Sequence, residues 1–192
     1  MLPSLVIPPN GKTYPLLNDL EWSAPATFGQ FVGTYTWKGK HFVMKVTLML
    51  RNDHAALQNL FSSFRSTRAR GKTGRRDLLQ EIHRQIIIHS RLESEIFYPA
   101  LSATKSDRAG GLVSTAQQRN RAVQGLLQDL LSMNPSDENF SIKMDLLMDE
   151  VSRHIAMDEE EMFHEARRIL PDYLLEELGI EMQRRKNSLR VA

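Results

Sequence analysis

From about residue 45 onward, apolar positions recur at alternating intervals of three and four. Leu50, His54, Leu57, Phe61 and Phe64 fall on a single helix face. Leu79, Ile82, Ile86, His89, Glu93 and Ile96 form a second face, which Pro99 is expected to end. Ala116, Asn120, Val123, Leu127 and Leu130 form a third, stopped near Asn134 and Pro135. Leu147, Val151, His154, Asp158, Met162 and Ile169 form a fourth. Pro171 opens a shorter helix from residue 172 to about 186, with Leu174, Leu175 and Leu178 apolar. Glycines place loops at 66–74 and around Gly110 and Gly111. Four amphipathic helices of similar length joined by moderate loops predict an all-α fold, an antiparallel four-helix bundle with a short C-terminal helix over residues 45–188.

Residues 1–44 lack this rhythm. They hold Pro3, Pro8, Pro9, Pro15 and Pro25, five of the eight prolines, and both tryptophans, Trp22 and Trp37. Around Gly39 a turn signal sits between aromatic and β-branched residues, so this segment reads as an irregular arm or a short hairpin.

The apolar faces are interrupted at comparable depth. His54, His89 with Glu93, Asn120, and His154 with Asp158 each place polar groups near the middle of a core face. An unpartnered interior polar group costs about 1–3 kcal/mol. One such break is ordinarily a core histidine with a partner. Four on four helices satisfy one another economically by meeting around a metal. The spacing agrees, because His89 and Glu93 are four apart, as are His154 and Asp158. Four residues is about 40° around a helix, so each pair shares a face. Imidazole with carboxylate suits iron, manganese or zinc, and helix-borne pairs of this kind build di-metal carboxylate sites in bundles.

Composition narrows the chemistry further. The 192 residues contain no cysteine, so thiolate-held zinc and iron–sulfur clusters are excluded and any metal rests on nitrogen and oxygen. Twenty-five Lys and Arg against 23 Asp and Glu leave a net charge of +2, which advertises no nucleic-acid or membrane partner. The longest apolar stretch, 42–50, is broken by Lys45 and Thr47, far short of the roughly 20 residues of a membrane span. The N-terminus does not read as a signal peptide, and a cytoplasmic location is the default expectation.

The run from His89 through Glu93 to Ile96, Phe97, Tyr98 and Pro99, preceded by Asn52, Asp53 and His54, resembles the hemerythrin-like HHE cation-binding domain. So do His154, Ile155, Asp158, Glu159, Glu160, Met162 and Phe163, and the later Leu175, Glu176, Glu177, Leu178 and Gly179. The resemblance covers roughly 45–187. It implies a non-haem di-iron centre inside the bundle, with His54, His89, Glu93 and His154 at ligand positions. Asp158 and Glu159 are alternatives for the last carboxylate, and the shared face favours Asp158. The family usually has a histidine on the third helix where this chain has Asn120, so one metal position could be weak or empty, leaving one ion rather than two. Manganese or zinc could replace iron. The resemblance further implies a diatomic ligand, O2 or NO, and a role in sensing, binding or iron handling, with reversible O2 carriage less expected given Asn120.

Other features read more plainly. His41, His83 and His164 are surface histidines, Tyr98 and Phe97 cap the core, and Met157 and Met162 pack. Arg65, Arg68, Arg70, Lys72, Arg75 and Arg76 form a basic run read as a solvated loop, so a nucleic-acid partner is not expected. Residues 145–181 hold twelve Asp or Glu against three Arg, and these opposed patches could pair two chains as a homodimer. No dedicated general acid or nucleophile is evident, so no catalytic cycle is expected. The competing reading is a bundle without metal that acts as a regulatory or interaction module.

Overall fold

The computed structural model describes residues 21–23, 34–37, 40–42, 44–66 and 71–191, with side chains described over 44–66 and 74–190. The chain separates into two units, Met1–Met44 and Lys45–Ala192. The first carries a three-stranded antiparallel sheet in the order β1 (Glu21–Ser23), β2 (Thr34–Trp37), β3 (Lys40–Phe42). Tyr35 pairs with Phe42 and Thr36 with His41, an antiparallel pair of strands, and Trp22 of β1 pairs with Tyr35; Gly39 lies outside the described residues.

The second unit is a helical bundle. Its helices are α1 (Val46–Ser66), α2 (Gly71–Leu92), α3 (Tyr98–Ser102), α4 (Asp107–Ser132), α5 (Glu138–Met157), α6 (Phe163–Ile169) and α7 (Asp172–Val191). A π-helical turn, Glu93–Phe97, joins α2 to α3, and another, Asp158–Met162, joins α5 to α6. The long helices α2–α3 and α5–α6 therefore run without interruption, and with α1 and α4 they make the four members of the bundle. α1 packs on α2, α4 on α5, and α7 against α1 and α2.

Several boundaries differ from the sequence expectation. Pro99 does not end the second helix: it falls just after the π turn, and the chain stays helical to Ser102. Residue 66 is the last of α1, and α2 already begins at Gly71. Gly110 and Gly111 lie inside the first turns of α4. Ser106 caps that helix by accepting from the Ala109 N–H at 3.3 Å, and its own carbonyl accepts from Gly110 N–H at 2.9 Å. A Cβ at either glycine would meet nothing within 4 Å, so these are open helix-surface positions rather than turn residues. α7 is longer than expected and runs to Val191.

The core follows the predicted faces closely. Leu57, Phe61, Phe64, Leu79, Ile82, Ile86, Val123, Leu127, Leu130, Leu147 and Val151 are all buried. Ile169 is the exception: it is only half-buried, while Phe163, Ala166 and Leu170 are buried instead. The π turn accounts for this, because it inserts one residue and moves every later position on by one. Arg75 and Arg76 of the basic run belong to α2 rather than to a loop. The Arg75 guanidinium lies 5.3 Å from the Phe64 ring and 5.2 Å from Phe140. Arg76 donates to the carbonyls of Leu131 and Met133, closing the C-terminal end of α4 at 2.9 and 2.7 Å. No helix among the described residues is long and apolar enough to cross a membrane.

Candidate metal centre

Four elements deliver polar side chains to one point in the bundle interior. His54 comes from α1, His89 from α2, Glu93 from the start of the first π turn, His154 from α5 and Asp158 from the start of the second. All five are buried. Each offers a nitrogen or carboxylate oxygen, and these five atoms lie within 4.8 Å of one another. His89 Nε2 is 3.3 Å and His154 Nε2 3.4 Å from Glu93 Oε1. His154 Nε2 is also 3.2 Å from Asp158 Oδ2, and His54 Nε2 is 3.7 Å from that same oxygen.

Local structure explains the convergence. In each histidine–carboxylate pair the four-residue step holds both groups on one face, and the carboxylate then opens a π turn. That wider turn keeps the backbone helical while shifting the phase behind the ligand pair, an arrangement frequently found at functional sites. The ring of Phe163 stacks on His54 at 5.8 Å with 5° between planes, fixing the imidazole from the π-turn side.

The cluster does not satisfy itself. His54 Nε2, both ring nitrogens of His89 and of His154, Glu93 Oε1 and both oxygens of Asp158 are buried without a hydrogen-bond partner among the described residues. Buried polar atoms in folded proteins are nearly always paired, so eight exceptions at one locus identify a donor set suited to a cation. Three imidazoles with two carboxylates are the ligand types of non-haem iron, manganese or zinc sites.

The electrostatics follow from crowding. Burial alone would raise the pKa of Glu93, but the charges of His89 and His154 hold it well below the usual range. Burial pushes Asp158 well above its usual value, and the neighbouring Glu93 charge adds to that. Burial pulls against a charge on His89, yet Glu93 and Asp53 raise it to about 10. His54 is lowered, chiefly by burial. Without a cation, the cluster therefore favours a proton on His89 and disfavours ionisation of Asp158.

Glu159 stands apart from the convergent set. Its carboxylate is part-exposed, accepts from His54 Nδ1 at 2.9 Å and faces Arg51 at 3.2 Å. It lies behind His54, where it fixes the proton on Nδ1 and leaves Nε2 facing the cluster. Asn120 does reach the centre, but through its amide nitrogen, which donates to Glu93 Oε2 at 3.3 Å. Beside it, the buried hydroxyl of Tyr98 lies 3.5 Å from the same nitrogen, and burial with the charges of Glu93 and Asp158 keeps that hydroxyl protonated. His83 lines an outer groove and His164 is exposed, so neither joins the cluster; the side chain of His41 lies outside the described residues.

Sequence reasoning assigned no role to Asp53 or Lys186. Asp53 Oδ2 lies 3.9 Å from His89 Nδ1, and Oδ1 pairs with Lys186. The only local signal for Asp53 is its place next to His54 on the buried side of α1. Lys186 carries none, because it reaches the site only through the docking of α7.

A small cavity of about 10 Å³ adjoins the three histidines and Asn120, walled by Leu57, Ile86, Val123, Val151 and Ile155. Of the apolar residues, Leu57, Ile86, Val123 and Val151 are almost wholly shielded from solvent.

Residues 46–166 match the family profile described as Hemerythrin HHE cation binding domain. A crystal structure of a hemerythrin HHE cation-binding domain-containing protein from Mycobacterium kansasii is similar in sequence and fold. It is 26% identical, the match covers 77% of this chain and 88% of that one, and the TM-score is 0.68. No curated protein matches the chain.

Proposed function

The chain belongs to the hemerythrin HHE cation-binding family, and from that premise we propose that it binds non-haem iron through His54, His89, Glu93, His154 and Asp158. The observation that carries this reading is the convergence of five buried donors within 4.8 Å, with eight of the cluster's polar atoms left unpaired by the protein. A polar network kept only for packing would close on itself. When bound, iron supplies a redox-active Lewis acid at which a small diatomic ligand such as O2 or NO can coordinate.

The surrounding residues support that use. Glu159 holds the His54 tautomer, and Asn120 holds one oxygen of Glu93. The apolar walls keep bulk water from the centre, and the adjoining cavity of about 10 Å³ has room for a ligand no larger than about one water. Sensing or handling of O2, NO or iron is the role we propose for this enclosed, apolar-walled centre. The proposed complement is two irons. Asn120, with its amide nitrogen turned to Glu93, gives the second ion no imidazole from α4, so the second ion is the more weakly held.

Metal analysis and the absorption spectrum of protein purified with iron test the proposal. Close to two irons per chain are expected in the wild type, and almost none in His89→Ala and Glu93→Ala. Absence of iron from the wild type, with unchanged thermal stability on adding it, overturns the reading and leaves a bundle acting through its surface. Preferential retention of manganese or zinc overturns the choice of iron.

A further inference from the structure

Two of the three histidines in the cluster share an arrangement on the side away from its centre. Behind His54 stands Glu159, held by Arg51. Behind His89 stands Asp53, one oxygen 3.9 Å from Nδ1, an ion-pair distance, and the other on Lys186. His154 has no counterpart among the described residues, since both carboxylates that face it do so through Nε2, on the cluster side. A metal-binding histidine ordinarily directs its second ring nitrogen to such a carboxylate, which orients the ring and raises its basicity.

We propose that Asp53 and Lys186 are a positioning pair for His89, so that the C-terminal helix α7 is a working part of the metal centre. This rests on the metal-binding reading above. The pair differs in kind from the other ion pairs of the bundle. The side chains of Asp53 and Lys186 are 10% and 12% exposed, against 39% and 40% for Arg185 and Glu95 one residue away. Water therefore does little to screen or replace either partner. Removing the lysine leaves a buried carboxylate with only His89 to turn to, and removing the aspartate leaves a buried ammonium ion.

Geometry gives α7 its grip on the ligand helix. Leu175, Leu178 and Met182 bury one face of α7, and Lys45 pairs with Asp172 at its start. At the other end, Lys186 pairs with Asp53 on α1, the helix that carries His54, whereas its neighbour Arg185 makes only an exposed pair with Glu95. The family match ends at residue 166, so Lys186 lies beyond the segment that the family profile covers. Because energetic coupling between two sites is reciprocal, a lysine that helps to fix His89 also makes metal binding tighten the docking of α7.

Titration of the metal-free full-length chain with Co2+, followed by its absorption bands, tests the proposal. Lys186→Met and Asp53→Asn are each expected to weaken Co2+ binding by about 10- to 100-fold, and Lys186→Arg to recover most of the loss. Arg185→Met removes a neighbouring attachment of α7 without touching Asp53, and is expected to stay within about twofold of wild type, as exposed pairs do. Amide hydrogen exchange supplies a second readout: Co2+ should slow exchange across α7 in the wild type and not in Lys186→Met. If Lys186→Met binds as tightly as Arg185→Met and shows the same slowing of exchange as the wild type, the positioning role is wrong. If instead the wild type and His89→Ala bind Co2+ alike, it is the metal-binding reading that fails.

Discussion

Protons and metal compete for the same atoms in this cluster, and the competition has a calculable size at His89. The imidazole, ordinarily near 6.5, is raised to about 10 by Glu93 and Asp53 against the pull of burial. A raised pKa stabilises the fold fully below the unfolded value and ceases to do so as pH climbs through the folded value. For His89 that window runs from 6.5 to about 10. The corresponding stabilisation of the metal-free protein is about 4 kcal/mol at pH 7 and a few tenths near pH 10. His54 and Glu93 are lowered and act below this window, whereas the raised Asp158 also loses stabilisation as pH climbs, so it is the comparison with His89→Gln that isolates the imidazole. Urea unfolding of chelator-treated protein at pH 7 and pH 10 measures the loss, and His89→Gln measured alongside subtracts alkaline effects common to both chains. A wild-type advantage over His89→Gln that stays constant across this range refutes the assignment of the proton to His89. The same proton must leave when metal enters. Between pH 6.5 and 8.5, apparent Co2+ affinity should therefore rise about tenfold per pH unit for each proton released, with an indicator dye reporting at least one proton per ion.

Three further outcomes are expected. Asn120→His places an imidazole beside Glu93 and should tighten the second iron, so that more of it survives dialysis against a weak chelator than in the wild type; unchanged retention and spectrum would mean that this α4 position does not serve the centre. Ser106→Ala removes the N-cap of α4 and the hydroxyl that donates to Glu165 at 2.9 Å, and should cost about 1 kcal/mol in urea unfolding without altering metal content. Arg76→Met leaves the carbonyls of Leu131 and Met133 without their donor, and should cost about 0.5–1.5 kcal/mol, a few degrees in thermal midpoint for a chain of this length.

The bundle and the convergent set are legible in the sequence because both rest on periodicity. Helical spacing puts His54, His89, Asn120 and His154 among apolar neighbours, and the structure buries all four. The two four-residue pairs carry the carboxylates, and Asp158 joins the cluster as the shared-face argument favours. What sequence could not reach depends on tertiary geometry. The role of Glu159 is one instance: it accepts from His54 Nδ1, the ring nitrogen turned away from the cluster, and a linear pattern does not announce that contact. Asn120 reads as a poor carbonyl ligand, yet it points its amide nitrogen inward, because Glu93 offers an acceptor there. Lys186 follows no pattern at all, being 133 residues from its partner Asp53. Gly110 and Gly111 mislead for the opposite reason: glycine weakens a helix, but a capped first turn on an open surface tolerates it.

The π turns are the one feature that strict periodicity actively conceals, and they can be tested by deletion. Counting in α-helical steps from Asp158 passes Met162 and Glu165, both buried, and reaches Ile169, which is only half-buried; one position on, Phe163, Ala166 and Leu170 are all buried. The first π turn behaves alike, since Leu101 is buried beyond it while Ala100 is half-buried. A π turn amounts to one extra residue held within an α-helix. Deleting the exposed Glu160 should therefore restore an ordinary helix and leave Phe163, Ala166 and Leu170 facing the core. The same deletion at Ser152, also exposed but within α5, should turn every later residue by about 100° out of the core. The first variant is expected to fold with a thermal midpoint within a few degrees of wild type while its metal content falls, because the carboxylate of Asp158 is re-aimed. The second is expected not to fold. Equal loss of structure in both variants would show that the extra residue serves packing, whereas retained metal in the Glu160 deletion would show that Asp158 does not depend on the π turn for its aim.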